Sequence, residues 1–385
     1  MLMRRTMLLM GAVAVAVVLA SAASGSAGSG QARWTITDLG PGGAVAVNER
    51  GQIVGTRNGS RAPLAKTEAW VWERGRFTLV RVGGTAVDVN ERGQVVGWDV
   101  AFSGETRGFI WQKGSIRHLG SLGGFATYPN DINDAGQVVG TGTLPQDTAT
   151  STGAGFLWQN GKIRELAGQG DAGGSAYAVN GRGQVVGAAN TTSDECGSPH
   201  AAFWSNGKMN DLNPPGAVFS EAVAVNARGQ VAVQSLSGDG CNGFISERGW
   251  LWDNGTFTDL GTLGGRSTIV LDLNDHGDVI GSSKTAGGRT HAFVWRHGVM
   301  RDLGTLPARR AVSYEASAIN ETGQVIGSIN GHSAFTWQDG TMTPLGSLGG
   351  MQSVAAALNE HSQIVGWATT RNGKKHAVLW TLRSG

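Results

Sequence analysis

Between Asp259 and Gly298 the chain reads DLGTLGG (259–265), LDLNDHGDVIG (271–281) and THAFVWRHG (290–298). Every stretch past residue 33 is a worn copy of this unit, which recurs about every 45 residues. A period of that length means a repeat architecture, in which no single copy can bury a core and stacked neighbours supply it.

Working outward from the centre of the unit, Asn-x-x-Gly occurs at Asn48, Asn90, Asn133, Asn180, Asn226, Asn274 and Asn320, and an eighth copy at Asn359 carries Ser362 in place of glycine. Each is preceded by alternating small and apolar residues, such as Ala222-Val223-Ala224-Val225, and followed by Gln-Val-Val-Gly or a variant. The pattern predicts a hairpin in which the Asn side chain bonds the backbone two residues on and glycine supplies a positive φ. Ser362 then takes a left-handed conformation, at a cost of up to about 1 kcal/mol.

A second hairpin follows, marked by Trp72, Trp111, Trp158, Trp204, Trp252, Trp295, Trp337 and Trp380. An apolar residue two positions earlier gives the period of a strand. In the first seven copies a glycine stands three residues after the tryptophan, and a short fourth strand ends in Asp-Leu-Gly or a relative. Only Thr381 to Gly385 follow Trp380, so the eighth copy lacks a fourth strand, while RWTITDLG (33–40) is an orphan one. Pairing the two closes a ring. The expected fold is therefore all-β, an eight-bladed β-propeller of four-stranded blades, with a Trp/Phe/Val layer of each blade packed on its neighbour's small residues.

Arg4 and Arg5 precede an apolar run from Met7 to Ala20 that ends in Ala20-Ser21-Ala22, which reads as an export signal over residues 1–22. Residues 23–32 are a Gly/Ser-rich lead-in, and 33–385 form one propeller domain. Without Arg4 and Arg5 the 31 basic residues fall to 29, against 29 acidic ones. That balance gives no reason to expect nucleic acid as a partner, and no later segment is apolar enough to insert stably in a membrane. A monomer is expected, secreted or extracellular, and periplasmic if the source is Gram-negative.

The string THAFVW, followed by DLGTLGG and a return to Asn-x-x-Gly-x-Val-x-Gly, resembles the bacterial extracellular HAF-type repeat over nearly all of Trp34 to Trp380. The resemblance implies an exported repeat protein. It brings no reaction and no catalytic residues, and the His position is filled freely, by Glu68, Arg107, Ala154, Arg248 and Ser333 in five copies.

Chemistry is then expected where the copies differ. The loops between second and third strands, Arg57 to Lys66, Ala101 to Thr106, Thr141 to Thr152, Asn190 to Pro199 and Ser235 to Glu247, vary most and share a face with the blade-to-blade connections. The Asp131 and Asp272 motifs do not place oxygens in step as a calcium loop does, and His200, His291 and His376 occupy one repeat position on different blades, which rules out a shared zinc ion. No metal, cofactor or catalytic residue is expected. Cys196 and Cys241 fall in loops of consecutive blades and are expected to form a disulfide. Trp98 and Trp367 follow the Val-Gly of the second strand, where other copies carry small residues. With Arg107, Arg309, Arg310 and Tyr314 they are the candidate binding residues. The leading expectation is a non-catalytic scaffold binding an extracellular polysaccharide or protein through the loop face. A propeller lyase or hydrolase and a structural surface or matrix component are the alternatives.

Overall fold

In a computed structural model of the 385-residue chain, the residues described are 33–58, 67–145, 153–168, 173–190, 198–238, 244–306 and 313–383. They hold thirty-two strands and no helix. The hairpins form where the turn residues place them. Between first and second strands of the fifth blade, Gly229 takes φ +86 and donates to Asn226 O at 3.0 Å. In the second hairpin the residue before the glycine is also left-handed, as at Arg74 (φ 49) and Gly75 (φ 82), which gives the I′ turn whose twist suits a two-residue loop. Ser362 sits at φ 57, as expected of a residue standing where seven copies use glycine.

Strands join in sequence order into eight four-stranded blades. Blade 1 runs from Gly43 to Val82, blade 2 from Gly84 to His118, blade 3 from Thr127 to Glu165 and blade 4 from Gly174 to Asp211. Blades 5 to 8 begin at Phe219, Gly264, Tyr314 and Gly349. Blade 8 takes its outer strand from the other end of the chain: Arg33–Pro41 pairs antiparallel with Lys375–Arg383, Ile36 opposite Trp380. The ring is thus closed by the two termini, as the complementary ends predict.

The core lies between blades rather than within them. Eight apolar clusters fill the eight interfaces. Phe293 and Trp295 of blade 6, for example, pack on Ala224, Ala232 and Leu251 of blade 5. The inner strands touch one another around the central channel. In every blade the inner strand carries a bulge just before the Asn, as between Ala86 and Asp88. One extra residue shifts the side-chain alternation by one and leaves a main-chain N–H unpaired.

Both ends of one expected loop are strand. Ser235 to Gly238 and Phe244 to Glu247 extend the hairpin of blade 5, whose strands Val231–Gly238 and Phe244–Asp253 pair through Ser237 and Ser246 and, after a register shift, at Gly238 opposite Phe244. The two serine hydroxyls bond at 2.6 Å, and Trp250 Nε1 donates to Ser235 Oγ at 2.9 Å, which ties the extension to the blade.

Candidate functional site

The histidine that recurs at the start of the third strand has a fixed partner in three blades. His200 Nδ1 lies 2.9 Å from Asp211, His291 Nδ1 2.7 Å from Asp302, and His376 Nδ1 2.9 Å from Asp38. In blade 5 Arg248 replaces the histidine and reaches Asp259 at 3.3 Å. The aspartate also ends the outer strand, because its other oxygen accepts the N–H two residues on, as from Gly261 and Gly304, both at 2.8 Å. Sequence reading left these histidines without a partner, although the interval of eleven residues from His200 to Asp211 and from His291 to Asp302 was a signal for it; His376 finds its aspartate at the other end of the chain.

Four blades break this pattern. The two positions hold Ala154 and Glu165 in blade 3 and Ser333 and Pro344 in blade 7, and in blades 1 and 2 they hold Glu68 and Leu79, and Arg107 and His118. The charges are instead satisfied on the second strands: Arg57 Nε reaches Glu68 at 2.9 Å, and Arg107 reaches Asp99 Oδ1 at 3.0 Å. Arg81, from the outer strand of blade 1, places Nε 2.5 Å from Asp99 Oδ2 as an ion pair without hydrogen-bond alignment. Asp99 is buried, so two guanidiniums hold one carboxylate at the rim between blades. Burial, and then the charge of Arg107, hold the His118 imidazole below its usual pKa.

Beside this network lie aromatic rings. Trp98 meets Tyr128 of blade 3 edge to face, centroids 5.7 Å apart, and Tyr128 OH stands 3.3 Å from Thr106 Oγ1. Thr106 N donates to Phe125 O at 3.0 Å, which brings the connection between blades 2 and 3 against the loop of blade 2. At the tip of that loop Phe102 is 99% exposed, and Phe125 and Tyr128 are 50% and 41% exposed. Seven of the twelve exposed large apolar residues described fall between Phe77 and Tyr128. In a body built by eightfold repetition, such an excess makes blades 1 to 3 the candidate site.

The remaining candidates separate from this group. Trp367 belongs to blade 8, with blade 1 between it and Trp98, and its ring is covered by Lys375 Nζ at 4.4 Å. Burial lowers the pKa of that lysine. Tyr314 does not reach the surface: it is 2% exposed, packed on His291 and Phe335, and its hydroxyl accepts the N–H of Leu306 at 3.2 Å. Its repeat position is buried in other blades too, at Thr127, Ser220, Thr268 and Ser353, so a tyrosine there fills a blade interface. Arg309, Arg310, Cys196 and Cys241 lie outside the described residues.

The inner strands also assemble acidic groups that sequence reading did not bring together. Asp88 Oδ2 and Asp131 Oδ1 face the same N–H, that of Ile132, at 3.4 and 2.7 Å, and Asp131 Oδ2 accepts Val179 N at 2.7 Å. The carboxylates thus cap main-chain groups freed by the bulges. Burial raises the pKa of both, Asp131 the more strongly because Asp88 repels its charge. In blades 4 and 5 Tyr177 OH lies 3.4 Å from Glu221, and burial raises both. Burial likewise pushes Asp272 up to about 6.

No known family profile matches the chain, and no curated protein does. Solved structures do. The likeness fixes the fold as a β-propeller. The Dos1 propeller superposes with a TM-score of 0.55 at 11% identity, covering 90% of this chain and 94% of that one. The β-propeller domain of the trilobed protease from Pyrococcus furiosus, described as having an open velcro topology, gives 0.52 at 10% identity over 81% and 97%. TolB from Acinetobacter baumannii gives 0.39 at 11% identity, and this chain covers 60% of it. At such identities the likeness carries the fold alone.

On the opposite face of the propeller a 320 Å³ groove between blades 3 and 4 is lined by Gln137, Arg164, Arg182 and Trp204. Trp204 is buried there, and its Nε1 already donates to Ala167 O at 2.8 Å. Among the described residues no three His, Cys, Asp or Glu side chains gather as a metal requires, and no helix is long and apolar enough to cross a membrane.

Proposed function

We propose that the protein is an exported, non-catalytic scaffold of the HAF-repeat type that binds an extracellular polysaccharide or protein at the rim of blades 1 to 3. One observation supports this reading: the exposed rings of Phe102, Phe125 and Tyr128 gather with the half-buried Trp98 beside the paired guanidiniums of Arg81 and Arg107. Amphipathic rings beside a held pair of guanidiniums offer stacking and planar hydrogen bonding together, which suits sugar chains. Arrays of glycans and extracellular proteins probed with the parent and with Trp98→Ala test it. Binding lost in the variant supports the site. Binding unchanged in Trp98→Ala and in Phe102→Ala removes it.

A second reading has its own observation. Asp88 and Asp131 bring two carboxyls against one main-chain N–H, and burial raises the pKa of both, Asp131 the more strongly, a pairing of the kind that acid–base catalysis on a polysaccharide uses. Turnover of a polysaccharide that stops in Asp131→Asn would establish a lyase or hydrolase in place of a scaffold.

A further inference from the structure

The outer strand of blade 1 differs from its counterparts. In blades 2 to 7 the outer strand is four residues long, as in Lys208–Asp211 and Val299–Asp302, while in blade 1 it runs seven, Arg76–Val82. Pairing here continues past the point where the four-residue strands stop, to Ala69 opposite Arg81 and Glu68 opposite Val82, with Leu79 at the position that holds aspartate in blades 4 to 6. No strand pairs with its outer side among the described residues. Short length blunts the edges of blades 2 to 7, and the longer outer strand of blade 8, Arg33–Pro41, carries Asp38, whereas Phe77-Thr78-Leu79 has neither safeguard.

The geometry of the free edge follows from the turn. Arg74 and Gly75 form a two-residue I′ loop, so Arg76 and, by alternation, Thr78 direct their main-chain groups at the neighbouring strand. Phe77 and Leu79 direct theirs outward. Both side chains lie on one face, each 44% exposed. An antiparallel copy of the same strand, related by a two-fold axis through Thr78, sets Phe77 opposite Leu79 twice. It completes all four outward hydrogen-bonding groups of each pair and gathers the four apolar side chains on one face. Arg76 then faces Val80 and Arg81 faces Gly75, so no like charges meet.

We infer that the protein forms a two-fold dimer by pairing Arg76–Val82 with the same strand of a second copy, joining the two blades into one eight-stranded sheet. This replaces the monomer expected from sequence. Sedimentation of the purified protein from about 1 to about 200 µM reads the mass directly and is expected to show dimer growing with concentration. Leu79→Asp restores the repeat's own residue, so it is compatible with the fold, and it should weaken the dimer about a hundredfold by removing two apolar contacts. Thr78→Cys places one thiol on each side of the axis, where opposed residues come within disulfide reach, and mild oxidation should give a covalent dimer linked through residue 78. Sedimentation as monomer throughout, with no link through residue 78, overturns the inference. So does a dimer that Leu79→Asp leaves unchanged.

Discussion

Asn359, in the last blade, donates its side-chain amide to the main-chain carbonyl of Asn48, in the first, at 3.0 Å across 311 residues. The same bond passes from each blade to the next: Asn48 to Asn90, Asn90 to Asn133, Asn133 to Asn180, and on through Asn226, Asn274 and Asn320 to Asn359. Eight asparagines therefore form a closed hydrogen-bonded ring on the turn side of the propeller. All eight are buried. Each also accepts main-chain N–H groups of its own turn through Oδ1, as Asn226 does from Arg228 and Gln230.

Replacing one of these residues strands several buried groups at once. Asn226→Ala should cost about 2–4 kcal/mol, the penalty for unpaired polar groups in an interior. Asn254→Ala, at an exposed left-handed turn position, should cost no more than about 1 kcal/mol. Urea unfolding of the two variants measures the contrast. Equal small losses would mean that the ring adds nothing beyond the local turn.

Ser362 holds φ 57 where seven other blades have glycine. Ser362→Gly should therefore stabilise the protein by about 0.5–1 kcal/mol, since relief of the left-handed strain exceeds the added freedom of the unfolded chain. The midpoint of chemical unfolding checks it. A lower midpoint would show that the Ser362 side chain has a contact worth more than the strain.

What the sequence made legible was local chemistry repeated eight times. The turn residues, the tryptophan layer and the complementary ends lead to the closed ring because each depends on neighbours in the chain or on counting copies. The partner of each Asn amide was hidden, because it lies a whole blade away. The inner-strand bulge hid more: by shifting the alternation one residue it places Asp88 and Asp131 against the same N–H, which a regular strand period does not foresee. At the candidate site Trp98 and Arg107 stood out by departing from consensus. Phe102 and Phe125 did not, because exposure at a loop tip leaves no trace in spacing. Tyr314 misled for the opposite reason, since its difference from the other copies is one of size within a buried position.

Cys196 and Cys241 stand between second and third strands of consecutive blades. The strand ends that lead to them, Asn190 and Pro199 in blade 4 and Gly238 and Phe244 in blade 5, emerge on the same face of adjacent blades. Non-reducing peptide mapping of secreted material should find the two cysteines joined, and reduction should lower the unfolding free energy by up to about 4 kcal/mol, as expected for a loop of this length. Two free thiols in secreted protein would refute the bond.

The buried carboxyls give the protein a definite dependence on pH. Asp88, Asp131 and Asp272 have native pKa values above those of an unfolded chain, Asp272 at about 6, with burial as the first cause in each. The folded state therefore binds these protons more tightly. Their contribution to stability is complete below the unfolded pKa of 3.8 and is lost as pH rises through the native value. Asp88→Asn removes one charge of the pair and leaves an amide able to donate to Asp131. It should raise stability by about 1 kcal/mol near pH 7.5, and the gain should shrink toward zero as pH falls to about 4, because the parent takes up its own proton on the way down. Urea unfolding of parent and variant at both pH values isolates the effect, because titrations elsewhere cancel in the difference. A gain or loss of the same size at both would mean that Asp88 acts through packing, not through charge.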